Sequence, residues 1–209
     1  MNKQNNFLFQ LHLLYGQVLD DRYIKDMVKE LNCRSESSFS DENQAHLHLE
    51  HMVTGAPMIL SGSANYNISI SYYEKYTAIA ISDYYFPTGI DICAKKISKD
   101  AYSVFMSENE MNLLNNYRLS VSYLWCAKEA IAKLLRVGIF YTDLKLYEVN
   151  KISTAAGAIC QIDYLNFHNI STLAVDTGSI TIAVSFFRNE VGLGKVMEEL
   201  IKILRKENV

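Results

Sequence analysis

At 209 residues the chain is long enough for one large domain or two small ones with an ordinary core. With 49% hydrophobic and 21% charged residues it groups with globular rather than disordered sequences. A formal net charge of −3 argues against a nucleic-acid surface or a polybasic membrane anchor.

Taken in chain order, FLFQLHLLYG (7–16) alternates like a strand that stops at Gly16. Its apolar run is broken by Gln10 and His12, which suits a first strand better than a signal peptide. DDRYIKDMVKELN follows, with Asp20 or Asp21 as cap and Ile24, Met27, Val28 and Leu31 on one helical face. Residues 38–53 are expected as a second helix, capped near Ser40 and ended by Gly55 and Pro57. On such a helix His48 and His51 stand at i, i+3, a weaker metal pattern than the i, i+4 pair of catalytic zinc helices.

From residue 57 the pattern changes to short β-branched runs, PMIL, YNISISYY, YTAIAIS and GIDIC, expected as neighbouring antiparallel strands. Helical periodicity returns from Ser98 to about Gly138 in two or three segments. Strand-like runs recur at 144–149, 158–165, 171–176 and 179–187, the last two joined by DTGS as a hairpin. An amphipathic helix covers roughly 190–206.

This order predicts an α+β fold of two similar halves, residues 1–95 and 96–209, each a small antiparallel sheet packed with helices. IAIS (79–82) and IAVS (182–185) hint at the duplication. No window approaches the ~18 apolar residues of a membrane helix. Cys33, Cys93, Cys126 and Cys160 form no C-x-x-C pair, so neither a zinc site nor a disulfide framework is expected. A soluble, cytoplasmic protein is the expectation.

The segment YLWCAKEAIAK (123–133) poses the chemical question. Val121, Leu124, Ile131 and Leu135 form an apolar stripe with Lys128 in its middle, while Trp125, Glu129 and Lys133 line one edge. Lys128 either snorkels past the stripe or belongs to a polar site between two packed bodies. Asp91, between Ile90 and Ile92, points away from both if GIDIC is a strand. Ser107 and Glu110 spell a capping box, which competes with a functional role for Glu110. A carboxylate at a strand end, another on a helix and a nearby Lys suit Mg²⁺ with a phosphate substrate.

GIDIC, FMSENEMNLL and WCAKEAIAKLLRVG, in this order and at these separations, resemble the 4'-phosphopantetheinyl transferase superfamily. Gly89-Ile90-Asp91 matches its G-[VI]-D, and Trp125, Lys128, Glu129, Ala130 and Lys133 match its W-x-x-K-E-A-x-x-K. GAPMIL and ISISYYEKYTAIAIS look like the G-K-P segment and the S-x-S-H strand pair. Length and suspected duplication are similar to those of the monomeric Sfp type.

The resemblance implies transfer of the phosphopantetheine arm of coenzyme A to a serine of an acyl or peptidyl carrier protein, in a cleft between the halves. It implies Asp91, Glu129 and Lys133 as catalytic residues, and Asp91 and Glu129 as Mg²⁺ ligands with Glu110 as a further candidate. Lys128, Lys133, Ser71 and Tyr72 would contact coenzyme A. Three positions depart from the pattern. Ala56 replaces the Lys of G-K-P, Tyr72 (or Ile70, in another alignment) replaces the His, and Cys93 stands where many members have a further acid. These departures favour an alternative, a degenerate member that binds a partner without transferring anything.

Overall fold

The computed structural model describes residues 9–16, 22–24, 26–28, 47–51, 57–61, 64–117, 119–137 and 145–207. Five strands, β1 (Phe9–Tyr15), β2 (Leu47–His51), β3 (Pro57–Ser61), β4 (Ala64–Tyr73) and β5 (Tyr76–Asp83), form a sheet in the order β1-β5-β4-β3-β2. Five more, β6 (Thr88–Ala94), β7 (Leu146–Thr154), β8 (Gly157–Tyr164), β9 (Ile170–Asp176) and β10 (Ile180–Phe187), form a second in the order β6-β10-β9-β8-β7. Every pairing is antiparallel. The second order repeats the first, strand for strand, so the α+β fold is duplicated as expected.

Residues 22–24 and 26–28 are helical between β1 and β2. Between β6 and β7 lie α1 (Lys99–Phe105), α2 (Glu108–Tyr117) and α3 (Val121–Leu135), and α4 (Glu190–Glu207) follows β10. Asn189 caps α4, its Oδ1 accepting the Gly192 N–H at 2.6 Å. Among the described residues no helix is long and apolar enough to cross a membrane.

Two expectations are corrected. GIDIC does not extend the first sheet: as β6 it pairs with β10, Asp91 opposite Ala183, and only its other edge lies against β4. Residues 47–51, expected within a helix, form β2, with His48 opposite Leu60 of β3. Leu-His-Leu-Glu-His alternates with period two, and that strand pattern prevails over the helical one. Residues three apart on a strand share no face, so the helical geometry behind the His48–His51 metal pattern is absent. The cap near Ser40 and the stop at Gly55 lie outside the described residues.

The IAIS/IAVS likeness falls on counterpart strands, β5 and β10, but one residue out of phase. Ile79 and Ile81 pack with Ile24, Met27 and Val28 of the first helical stretch. In β10 it is Ala183 that packs beneath α3, with Cys126 and Ala130. Ile182 and Val184 face the other way, onto Val196, Leu200 and Leu204 of α4. A slip of one residue turns every side chain to the opposite face, so the shared letters do not mark equivalent positions. The same α4 residues meet Phe9, Leu11, Ala78 and Ala80 of the first sheet, so one helix closes a core common to both halves.

Candidate active site

The site begins with a glycine. Along β6, Ile90 and Ile92 enter the common core, leaving Gly89, Asp91 and Cys93 to face α3. A Cβ on Gly89 would stand 1.9 Å from the Ala130 carbonyl oxygen and 2.6 Å from the Leu134 nitrogen, so only Gly permits this approach. Ala174 and Ala183 of the sheet and Ala130 of the helix keep the rest of the contact thin. The helix is thereby close enough for Lys133 Nζ to donate to Asp91 Oδ1 at 2.8 Å.

The opposite wall comes from the first half. One edge of β6 pairs with β10; the other presents alternate N–H groups to β4. Ser69 and Ser71, spaced by the same period of two, accept them: Ile90 N–H to Ser69 Oγ at 3.0 Å, Ile92 N–H to Ser71 Oγ at 3.2 Å. Ser71 then donates its own proton to Asp91 Oδ1 at 2.7 Å. Further along the seam Arg136 Nη2 donates to Asn67 Oδ1 at 3.2 Å, and the Asn67 amide donates to the carbonyls of Asp83 and Tyr84. Arg136 also ends α3 in a left-handed conformation, φ 58°, its N–H returning to Ala132 and Lys133.

Glu129 lies one turn before Lys133 on α3 and shares its field with Asp91. Its carboxyl is raised above the ordinary value, first by burial and then by the Asp91 charge, with Lys133 partly opposing. Among the described residues Glu129 makes no hydrogen bond or ion pair. Glu129 and Asp91, two carboxylates beside a single ammonium, are a donor set that suits a hard divalent cation. Among the described residues no three His, Cys, Asp or Glu groups could hold a metal ion by themselves. Such an ion would therefore complete its oxygen shell with water or a ligand's phosphates.

Lys128 does not snorkel. Its Nζ lies 3.2 Å from Glu110 Oε2, with side chains only 6% and 0% exposed. Glu110 Oε2 also accepts the Ser107 N–H at 2.8 Å, and Ser107 Oγ accepts the Glu110 N–H at 3.3 Å, completing the capping box of α2. Lys128 and Glu110 thus pair with each other and join α2 to α3, apart from Asp91. Tyr72 stands 63% exposed on the face of β4 opposite Ser71. Cys93 turns inward, its sulfur 3.0 Å from that of Cys126.

Of the residues singled out from sequence, Asp91, Glu129, Lys133 and Ser71 come together, while Lys128, Glu110 and Tyr72 do not join them. Ser69, Asn67 and Arg136 went unnoticed. Their trace is the polar stripe Asn67-Ser69-Ser71 alternating with Tyr66, Ile68 and Ile70 on a buried strand, which only a polar partner can explain.

Residues 87–185 match the model of the 4'-phosphopantetheinyl transferase superfamily. The match runs from the link before β6 to the middle of β10 and takes in Gly89, Asp91, Glu110, Lys128, Glu129 and Lys133. A search of curated proteins finds no match. The matched stretch, less than half of the chain, supports a transferase of the phosphopantetheinyl type.

Proposed function

We propose that the protein transfers the 4'-phosphopantetheine arm of coenzyme A to a serine hydroxyl of an apo carrier protein, acyl or peptidyl, and releases adenosine 3',5'-bisphosphate. The observation that carries this reading is the convergence of Asp91, Glu129 and Lys133 where the two halves meet. Asp91 and Glu129 would hold Mg²⁺, which when bound neutralises charge on the coenzyme A pyrophosphate. Glu129, its carboxyl made more basic by burial and by Asp91, takes the proton of the attacking serine, directly or through a water. The serine oxygen bonds to the phosphorus carrying the pantetheine, and the bond to the adenosine side of the pyrophosphate breaks. Lys133, about a third exposed, turns from Asp91 to the departing phosphate and stabilises its charge. One chain supplies both walls of the cleft, so the monomer is the active unit in this reading.

A second reading has its own observation. Cys93, where an acid would add a ligand oxygen, instead turns its thiol to Cys126 and to the carbonyls of Ala94 and Ser122. A protein short of one ligand could bind a carrier protein without modifying it. Intact-mass spectrometry of an apo acyl carrier protein with the enzyme, coenzyme A and Mg²⁺ decides between them. Gain of one phosphopantetheine arm, lost in Asp91→Ala and Glu129→Ala, supports transfer. No gain across several carrier proteins, from a folded sample, supports the binding-only protein.

A further inference from the structure

We infer, on the reading of Asp91 and Glu129 as cation ligands, that Ser71 is the positioning residue that holds Asp91 ready for the ion from the opposite half of the molecule. The matching hydroxyl was expected to touch coenzyme A, but its geometry commits it elsewhere. Ser71 is buried, its oxygen accepts the Ile92 N–H at 3.2 Å, and its proton goes to Asp91 Oδ1 at 2.7 Å. The Ser71 hydroxyl and the Lys133 ammonium both bond Asp91 through Oδ1, and the buried Cys126 thiol also lies against this carboxylate. A carboxylate tied through one oxygen offers the other as a single ligand. That suits Mg²⁺, which keeps strict octahedral geometry and several waters, better than it suits a larger ion that takes carboxylates through both oxygens.

The two donors differ in what they can do next. Lys133 is a long side chain, 30% exposed, and can leave Asp91 for a phosphate. Ser71 has one short rotor, enclosed between β4 and β6 and fixed by a backbone N–H. Once Lys133 moves, the Ser71 hydroxyl stays on Oδ1 and keeps the carboxylate oriented. Groups that orient a metal ligand typically account for a ~10–100-fold share of metal affinity.

The test measures Mn²⁺ binding to the full protein by electron paramagnetic resonance of the free ion, with no substrate present, and then the Mn²⁺ and coenzyme A dependence of transfer. Ser71→Ala should weaken Mn²⁺ binding about tenfold or more, leave the KM for coenzyme A unchanged at saturating Mn²⁺, and be largely rescued in Ser71→Thr. Ser69→Ala is the matched control. It removes the neighbouring acceptor of a β6 N–H without touching Asp91, so it should lower thermal stability as much while Mn²⁺ affinity stays at the wild-type value. Wild-type Mn²⁺ affinity in Ser71→Ala, or a raised KM for coenzyme A with Mn²⁺ affinity intact, overturns the role given to Ser71. Equal loss of Mn²⁺ affinity in Ser69→Ala would also overturn it, by reducing both serines to structural seam contacts. A wild-type protein that binds no Mn²⁺ at all removes the cation reading of Asp91 and Glu129 itself, and the role of Ser71 with it.

Discussion

Replacing Lys128 with Met tests how the apolar face of α3 tolerates a charge. Nζ and Glu110 Oε2 are 3.2 Å apart and both side chains are closed to solvent, so this pair is not a surface ion pair worth at most ~1 kcal/mol. Lys128→Met keeps the length and packing of the side chain but takes the ammonium away from the Glu110 carboxylate, whose Oε2 still accepts the Ser107 N–H. Breaking a buried pair from one side costs about 3–5 kcal/mol, because the partner charge stays buried. In a protein of this size that lowers Tm by roughly 10 °C. The double variant Lys128→Met/Glu110→Gln removes both charges and leaves a carbonyl to accept the Ser107 N–H. It should recover all but ~1–2 kcal/mol, as paired apolar or neutral replacements often do. Urea unfolding at pH 7 of wild type, both single variants and the double variant gives the cycle, in which the double variant should lose less stability than either single variant. A loss below about 1 kcal/mol in Lys128→Met, or no coupling in the cycle, would refute the buried pair and restore the snorkelling lysine.

Gly89→Ala should destabilise the protein by roughly 1–3 kcal/mol, since the added methyl falls against the α3 backbone; an unchanged urea midpoint would show that α3 stands further from β6. Glu129→Gln should raise Tm at pH 7 by about 1–2 °C. The folded carboxyl holds its proton above the ordinary value of 4.5, so the stability it contributes is present in acid and lost as pH rises through the folded value. The gain from Gln should therefore vanish below about pH 4, and a gain that persists there would point to packing rather than charge. Burial pushes the Cys160 thiol up to about 11 and the Cys126 thiol up as well. Iodoacetamide at pH 8 should leave both unmodified in the folded protein and label them in urea, as peptide mass spectrometry will show; rapid labelling of either in the native state would contradict its burial.

What the sequence made legible was local. Alternation and helical spacing placed most strands and the helical stretch between β6 and β7, and the resemblance to the phosphopantetheinyl transferases, rather than spacing alone, marked Asp91, Glu129 and Lys133. The failures were of two kinds. His48 and His51 drew attention to helical spacing while Leu47 and Leu49 were already alternating as a strand. The other misses are non-local. Nothing near GIDIC tells it to pair with β10 rather than with β5, and nothing near Lys128 names Glu110, which stands on another helix. Ser71 was noticed for a ligand, but its bond to a carboxylate of the other sheet was not foreseen. Each of these depends on how the two halves meet, which no window of ten residues contains.

The helix α4 has a consequence for how the protein is made. Its Val196, Leu200, Ile203 and Leu204 complete a core that also contains Phe9 and Leu11, so the earliest and latest described segments must meet before that core exists. At a synthesis rate of about 5–20 residues per second, β1 waits on the order of 10–40 s for its partner helix to emerge. During that interval the apolar faces of β1, β5 and β6 lie open on a nascent chain that cannot yet bury them. Slow translation, or any change that weakens α4, lengthens the exposure, so yield in the cell should depend on holdase chaperones more than the stability of the finished fold would suggest.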